Sequence, residues 1–180
     1  EITELILKKR KIIEKDILNI CKFKTAYYTF VNPLKIGATL AGQDNRFLKE
    51  LEKFSLPMGI AFQIQDDILG LFGTQKEIGK PIGSDIKENQ PNLLIFKTLT
   101  LANLKERQKF KNYLGRPAIS PKDIREIRRI VEESGSLKYC QRKAGDLIRK
   151  AKYFLKQTKI PQKEKQFLGD LADYVIARKY

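Results

Sequence analysis

Apolar residues recur at helical intervals along almost the whole of this chain, and no convincing strand pattern is present. Ile2, Leu5, Ile6, Ile13, Ile17 and Ile20 follow one another at spacings of three, four and seven, which draws a single apolar stripe to about residue 22. The stretch KTAYYTFVNPLKIGATLAG continues as a second helical segment. Its Pro33 is placed to kink that segment, and its small residues at 37, 38, 41 and 42 allow close helix packing. Residues 46 to 70 form a third segment, interrupted by Pro57 and Gly59. The period then fails over GTQKEIGKPIGSDIKENQP, residues 73 to 91, a glycine-bearing polar loop of the length that is usually functional or disordered. Helical spacing resumes at Asn92 with Leu93, Leu94, Phe96 and Leu99. After GRPAISPKD, Ser120, Pro121 and Asp123 have the spacing of an N-cap, a first-turn proline and a capping-box acid. Further helices are expected at about 121 to 134, 136 to 158 and 162 to 178, separated by Gly135 and Pro161. The fold class is all-α.

The 180 residues carry 36 Lys and Arg against 21 Asp and Glu, a net charge of +15, which favours anionic partners without choosing among them. The basic residues are spread over nearly every helix rather than gathered on one face, which speaks against a nucleic-acid interface. There is no histidine. Ser-His and Cys-His nucleophile pairs are therefore excluded within the chain, as is a His-ligated metal. A bound metal must use carboxylates and water, which suits a hard cation such as magnesium. Cys21 and Cys140 lie far apart in sequence and are expected to be two reduced thiols of a cytoplasmic protein. No apolar run approaches the length of a membrane span.

Against this background FQIQDDILG, residues 62 to 70, stands out because Asp66 and Asp67 interrupt an apolar run. On a helix Gln63, Asp66, Asp67 and Gly70 are i, i+3, i+4 and i+7 and share one face. Two neighbouring acids there repel each other and resist desolvation. Either they form a solvated face, or cations compensate them, as magnesium bound to a diphosphate would. Lys24 and Thr25, expected at or near a helix start, offer an ammonium and a hydroxyl to phosphate, or else a surface lysine beside a cap. Lys80, between Gly79 and Pro81, is a mobile cation for phosphate or part of a wet polar loop, where Asp85 and Lys87 pair or face solvent.

The ordered set KTA, GIAFQIQDDILG and GKPIGSDI resembles the C-terminal half of the trans-isoprenyl diphosphate synthases, the polyprenyl synthetases that include farnesyl and geranylgeranyl diphosphate synthases. The closing FLGDLADYVIARKY is similar to that family's last helix, so the resemblance runs from about residue 17 to the end. It implies an isoprenoid-synthase-type helical bundle around an apolar cavity, usually a homodimer. It also implies condensation of an allylic diphosphate with isopentenyl diphosphate, assisted by Mg2+. On that resemblance Asp66 and Asp67 are metal ligands, and Gln63 faces the allylic group and its diphosphate. Lys24 contacts diphosphate, Thr25 lies near the reacting carbons, and Lys80 grips the allylic diphosphate.

Three departures accompany the resemblance. The family's first aspartate-rich motif is absent and belongs upstream of Glu1, so residues 1 to 180 are expected to be the C-terminal part of one synthetase domain in a longer protein. The motif D-D-x-x-D reads DDILG here, with Gly70 in place of the third acid. Gln90 stands where the family has a second loop lysine. These departures also fit a non-catalytic partner subunit of an active synthase. In that family product length depends on residues just before the first aspartate-rich motif, which this sequence does not contain.

Overall fold

The computed structural model describes residues 12 to 74, 79 and 81 to 177. The described residues form an all-α bundle with no strand. Its elements are α1 (Glu14–Cys21), a π-helical segment (Lys22–Val31), α2 (Asn32–Leu40), α3 (Asn45–Phe72) and the short α4 (Ser84–Lys87). They continue as α5 (Leu93–Leu101), α6 (Leu104–Lys111), α7 (Pro121–Glu133), α8 (Ser136–Gln157) and α9 (Gln162–Ala177). None of these helices is long and apolar enough to cross a membrane.

The central element is α3, which packs most extensively against α8 on one side and the π-helical segment on the other. Asp44 starts it by accepting the Phe47 N–H at 2.8 Å. Its 28 residues run through Pro57 and Gly59 without a break, contrary to the interruption expected from those residues. Pro57 forfeits one backbone hydrogen bond, but burial of Phe54, Met58, Ala61, Ile64, Ile68 and Leu71 on the same helix outweighs that loss. Gly59 has a packing role: a Cβ there would stand 2.6 Å from Ala26 Cα and 2.7 Å from Ala26 Cβ. Hence the backbone of the π-helical segment approaches α3 more closely than any side chain permits. The close packing expected at Gly37 and Gly42 is not made among the described residues, since a Cβ at either would meet nothing within 4 Å. Small residues permit a close approach, and only a facing element makes one.

Residues 14 to 40 are one continuous helical rod, so Lys24 and Thr25 lie about three turns inside it rather than at a helix start. Pro33 falls at the change of helix type: the Asn32 N–H still bonds Tyr27 O in the π pattern, and α2 proceeds from there. The rod's beginning is fastened by Glu14. Its carboxylate receives Tyr139 Oη at 2.7 Å, Lys97 Nζ at 2.7 Å and Lys143 Nζ at 2.9 Å, tying α1 to α5 and α8. Burial alone would raise the Glu14 pKa, but the bonds from Lys97, Lys143 and Tyr139 together carry it down to about 2. The Ile2, Leu5 and Ile6 part of the apolar stripe lies outside the described residues.

The later helices follow the sequence closely. Ser120 and Asp123 form the expected capping box of α7, and Gly135, at φ 76°, turns the chain into α8. Asn92 is the N-cap of α5, accepting the Ile95 N–H at 2.8 Å. The helical run after it divides at Ala102 into α5 and α6.

Two outcomes are expected from this packing. Gly59→Ala forces α3 and the rod apart and should cost about 1–3 kcal/mol in urea unfolding, the usual penalty of overpacking. Glu14, with its pKa lowered from 4.5 to about 2, contributes stability above pH 4.5 that is lost as the pH falls through 2. Glu14→Gln should therefore lower the urea midpoint at neutral pH and flatten its decline over that acid range.

Candidate active site

The site is assembled where the π-helical segment lies along α3. Thr25 and Gln63 are buried, and Thr25 Oγ1 donates to Gln63 Oε1. Gln63 Nε2 in turn donates to Asp67 Oδ1 at 2.7 Å, the i, i+4 reach of one helix turn. The sequence-derived face of α3 is thus realised, and the hydroxyl of Thr25 is its terminal donor.

The two aspartates are not equivalent. Asp66 is half-buried, whereas Asp67 is 6% exposed and its Oδ2 has no hydrogen-bond partner. Burial is the largest influence on its acidity. The Gln63 bond and Lys24 pull the pKa down, Asp85 and Asp66 push it up, and the outcome is about 8 against an ordinary 3.8. An orphaned, buried carboxylate oxygen among other acids fits a hard cation as its missing partner. Among the described residues, however, no three His, Cys, Asp or Glu side chains converge to hold an ion by themselves. A magnesium ion here would use Asp67 and Asp66 and complete its shell with phosphate oxygens, water or acids from outside this chain.

Asp85 joins the site through a backbone link that the sequence did not show. The Gly83 N–H donates to Gly70 O at 2.9 Å, with Gly83 left-handed at φ 76°, and α4 begins at the next residue. Asp85 is thereby brought within electrostatic reach of Asp67, while Ser84 Oγ and Asn92 Nδ2 each approach its carboxylate at 3.4 Å. Lys87 is exposed. The backbone carbonyl at position 70, which any residue there would offer, anchors the returning chain. An acid two residues beyond a glycine in the polar loop was the available signal for Asp85.

Lys24 is exposed, and its Nζ donates to Gln90 Oε1 at 3.0 Å, while Gln90 Nε2 donates to Glu88 at 2.6 Å. Gln90 therefore belongs to the site as the group that orients Lys24. Lys80 lies outside the described residues. Cys21 and Cys140 are buried free thiols whose pKa values are pushed up to about 12, by burial first and by Asp67 next, so neither is an available nucleophile.

The sequence matches the family model described as polyprenyl synthetase over residues 1–131. The chain belongs to the polyprenyl synthetase family. A geranylfarnesyl diphosphate synthase of Aeropyrum pernix is 30% identical over 164 residues, covering 91% of this chain and 50% of that protein. A geranylgeranyl diphosphate synthase of Sulfolobus acidocaldarius is 34% identical over 172 residues, covering 93% of this chain and 51% of that protein. In three dimensions the chain is similar to a geranylgeranyl pyrophosphate synthase of Corynebacterium glutamicum crystallised with isoprenyl diphosphate and magnesium. The TM-score is 0.90 at 28% identity, over 98% of this chain and 50% of that one. The chain spans about half the length of the curated relatives it matches.

Asp67 gives the candidate site a measurable signature. Its folded pKa of about 8 lies above its ordinary 3.8, so its contribution to stability is full below pH 3.8 and is lost as the pH rises through 8. Asp67→Asn, which never ionises, should melt with less pH dependence than the wild type between about pH 4 and pH 8 in divalent-free buffer. Its melting temperature should also respond less to magnesium pyrophosphate.

Proposed function

We propose that the protein to which this chain belongs is a trans-prenyltransferase that joins an allylic diphosphate to isopentenyl diphosphate, and that this chain supplies half of its active site. The observation that carries the reading is the unpartnered Oδ2 of buried Asp67, with Gln63 bonded to its other oxygen, Thr25 bonded to Gln63 and the charge of Lys24 within electrostatic reach. Family membership and the likeness to synthases named for geranylgeranyl and geranylfarnesyl diphosphate support it.

In this reading the allylic C–O bond breaks and diphosphate departs with the electron pair. The double bond of isopentenyl diphosphate attacks the allylic carbon, and loss of a proton regenerates an alkene five carbons longer. Magnesium, when bound, supplies positive charge to the leaving diphosphate. Asp67 and Asp66 hold that charge in place, and Lys24 adds an ammonium at the mouth of the site. Gln90 keeps Lys24 directed there. Gln63 is fixed from both sides, by Thr25 and by Asp67, so its amide presents one orientation to the allylic group. Lys80 serves as a second diphosphate cation, and the active protein is a homodimer.

Assay of the full-length protein with allylic and isopentenyl diphosphates and magnesium tests the reading. Asp67→Ala is expected to lose at least about 100-fold in kcat/KM, the scale for removing one preorganised charge-stabilising group. Lys24→Ala should act mainly on KM for the allylic substrate. Absence of chain elongation by the wild type, together with no magnesium-dependent pyrophosphate binding, would overturn the assignment.

A further inference from the structure

The end of α3 and the start of α4 bring Asp67 and Asp85 together, yet neither segment holds that arrangement alone. Both are gripped by one face of α7. Arg128 reaches back 57 residues in sequence, donating from Nε to Leu71 O at 2.7 Å and from Nη2 to Gly73 O at 3.3 Å. Its guanidinium also lies 5.8 Å from the centre of the Phe72 ring. Carbonyls at a helix C-terminus have no partner within the helix, and a cationic fork there both satisfies them and complements the helix dipole. One turn earlier on α7, Ile124 takes the space beneath Gly83: a Cβ at Gly83 would stand 2.6 Å from Ile124 Cδ1. Gly83 is the residue whose N–H bonds Gly70 O, and Asp85 follows two residues later.

We infer that α7 is a positioning element for the synthase site, in which Arg128 and Ile124 clamp the two strands of chain that present Asp67 and Asp85. The inference rests on the prenyltransferase reading of that site. Two acids held close repel each other whenever both are ionised, so their separation must be imposed from outside the pair. Arg128 fixes where α3 stops, and Ile124 fixes where the chain returns. The Gly83 to Gly70 bond then transmits both constraints to the acids. Neither Arg128 nor Ile124 touches the acids in this arrangement; both act through backbone.

The test uses the full-length protein and inorganic pyrophosphate with magnesium as the probe, read by calorimetric titration. Arg128→Met keeps the length of the stem and loses both carbonyl bonds, and it should weaken magnesium-dependent pyrophosphate binding about tenfold, the scale of losing one charge-assisted hydrogen bond. Arg128→Lys retains one cationic donor and should recover part of that loss. Arg125→Met, on the exposed side of the same helix, should bind as the wild type does. Hydrogen exchange gives a readout independent of binding. In Arg128→Met the Gly83 amide should exchange faster while the amides of Ile127 and Ile130 in the core of α7 keep their protection. Wild-type binding that Asp67→Asn abolishes but Arg128→Met leaves intact would overturn the clamp and leave the site assignment standing. Unchanged Gly83 exchange in Arg128→Met would overturn it equally. A wild type that binds no magnesium pyrophosphate would remove the site and the clamp together.

Discussion

The contact between Ala26 and Gly59 sets the distance on which the rest of the site depends. At that point two helices approach backbone to backbone, with no room for a Cβ on α3. Thr25 is the residue before Ala26 and Gln63 is one turn beyond Gly59, so the contact places the hydroxyl within reach of the amide. Asp67 follows one further turn along. A chain of three side chains therefore inherits its geometry from one glycine, and a side chain there would widen the gap for all of them.

Burial then gives this chain of contacts its chemical character. In water Asp67 would be an ordinary acid, but inside the bundle its second oxygen has neither solvent nor donor. Asp85 and Asp66 add repulsion, while the single Gln63 bond and the more distant Lys24 offset only part of it. Such a site has an unmet demand for positive charge, which the metal ion of a bound metal diphosphate would meet under the proposed function. The net charge of +15 acts on a longer scale by drawing anions toward the protein, whereas the demand at Asp67 is local.

Much of this was legible in the residues. The shared face of Gln63, Asp66 and Asp67 follows from helical spacing, and the structure keeps it. The starts of α7, α8 and α9 followed from Ser120, Gly135 and Pro161, because capping and turn chemistry act over a few residues. Pro57 was misleading for the opposite reason: its cost is local and certain, while the burial that outweighs it is summed over a whole helix. The small residues at 37 and 42 pointed to close packing that the described chain makes at Gly59 instead. Asp85 and Gln90 were read as loop polarity and a lost lysine, since nothing in their neighbourhood reveals the partners that lie on α3 and the rod.

The sequence by itself determined the all-α class, the acid face of α3 and membership of the synthetase family, because helical period and motif order are properties of neighbouring residues. Only the tertiary structure decided that Asp67 rather than Asp66 is the buried acid, that Gln90 orients Lys24, and that α7 holds the two acidic segments in register. Those outcomes depend on which surfaces meet. Burial, pKa and backbone capping are all set by groups tens of residues away, and no local pattern encodes such distances.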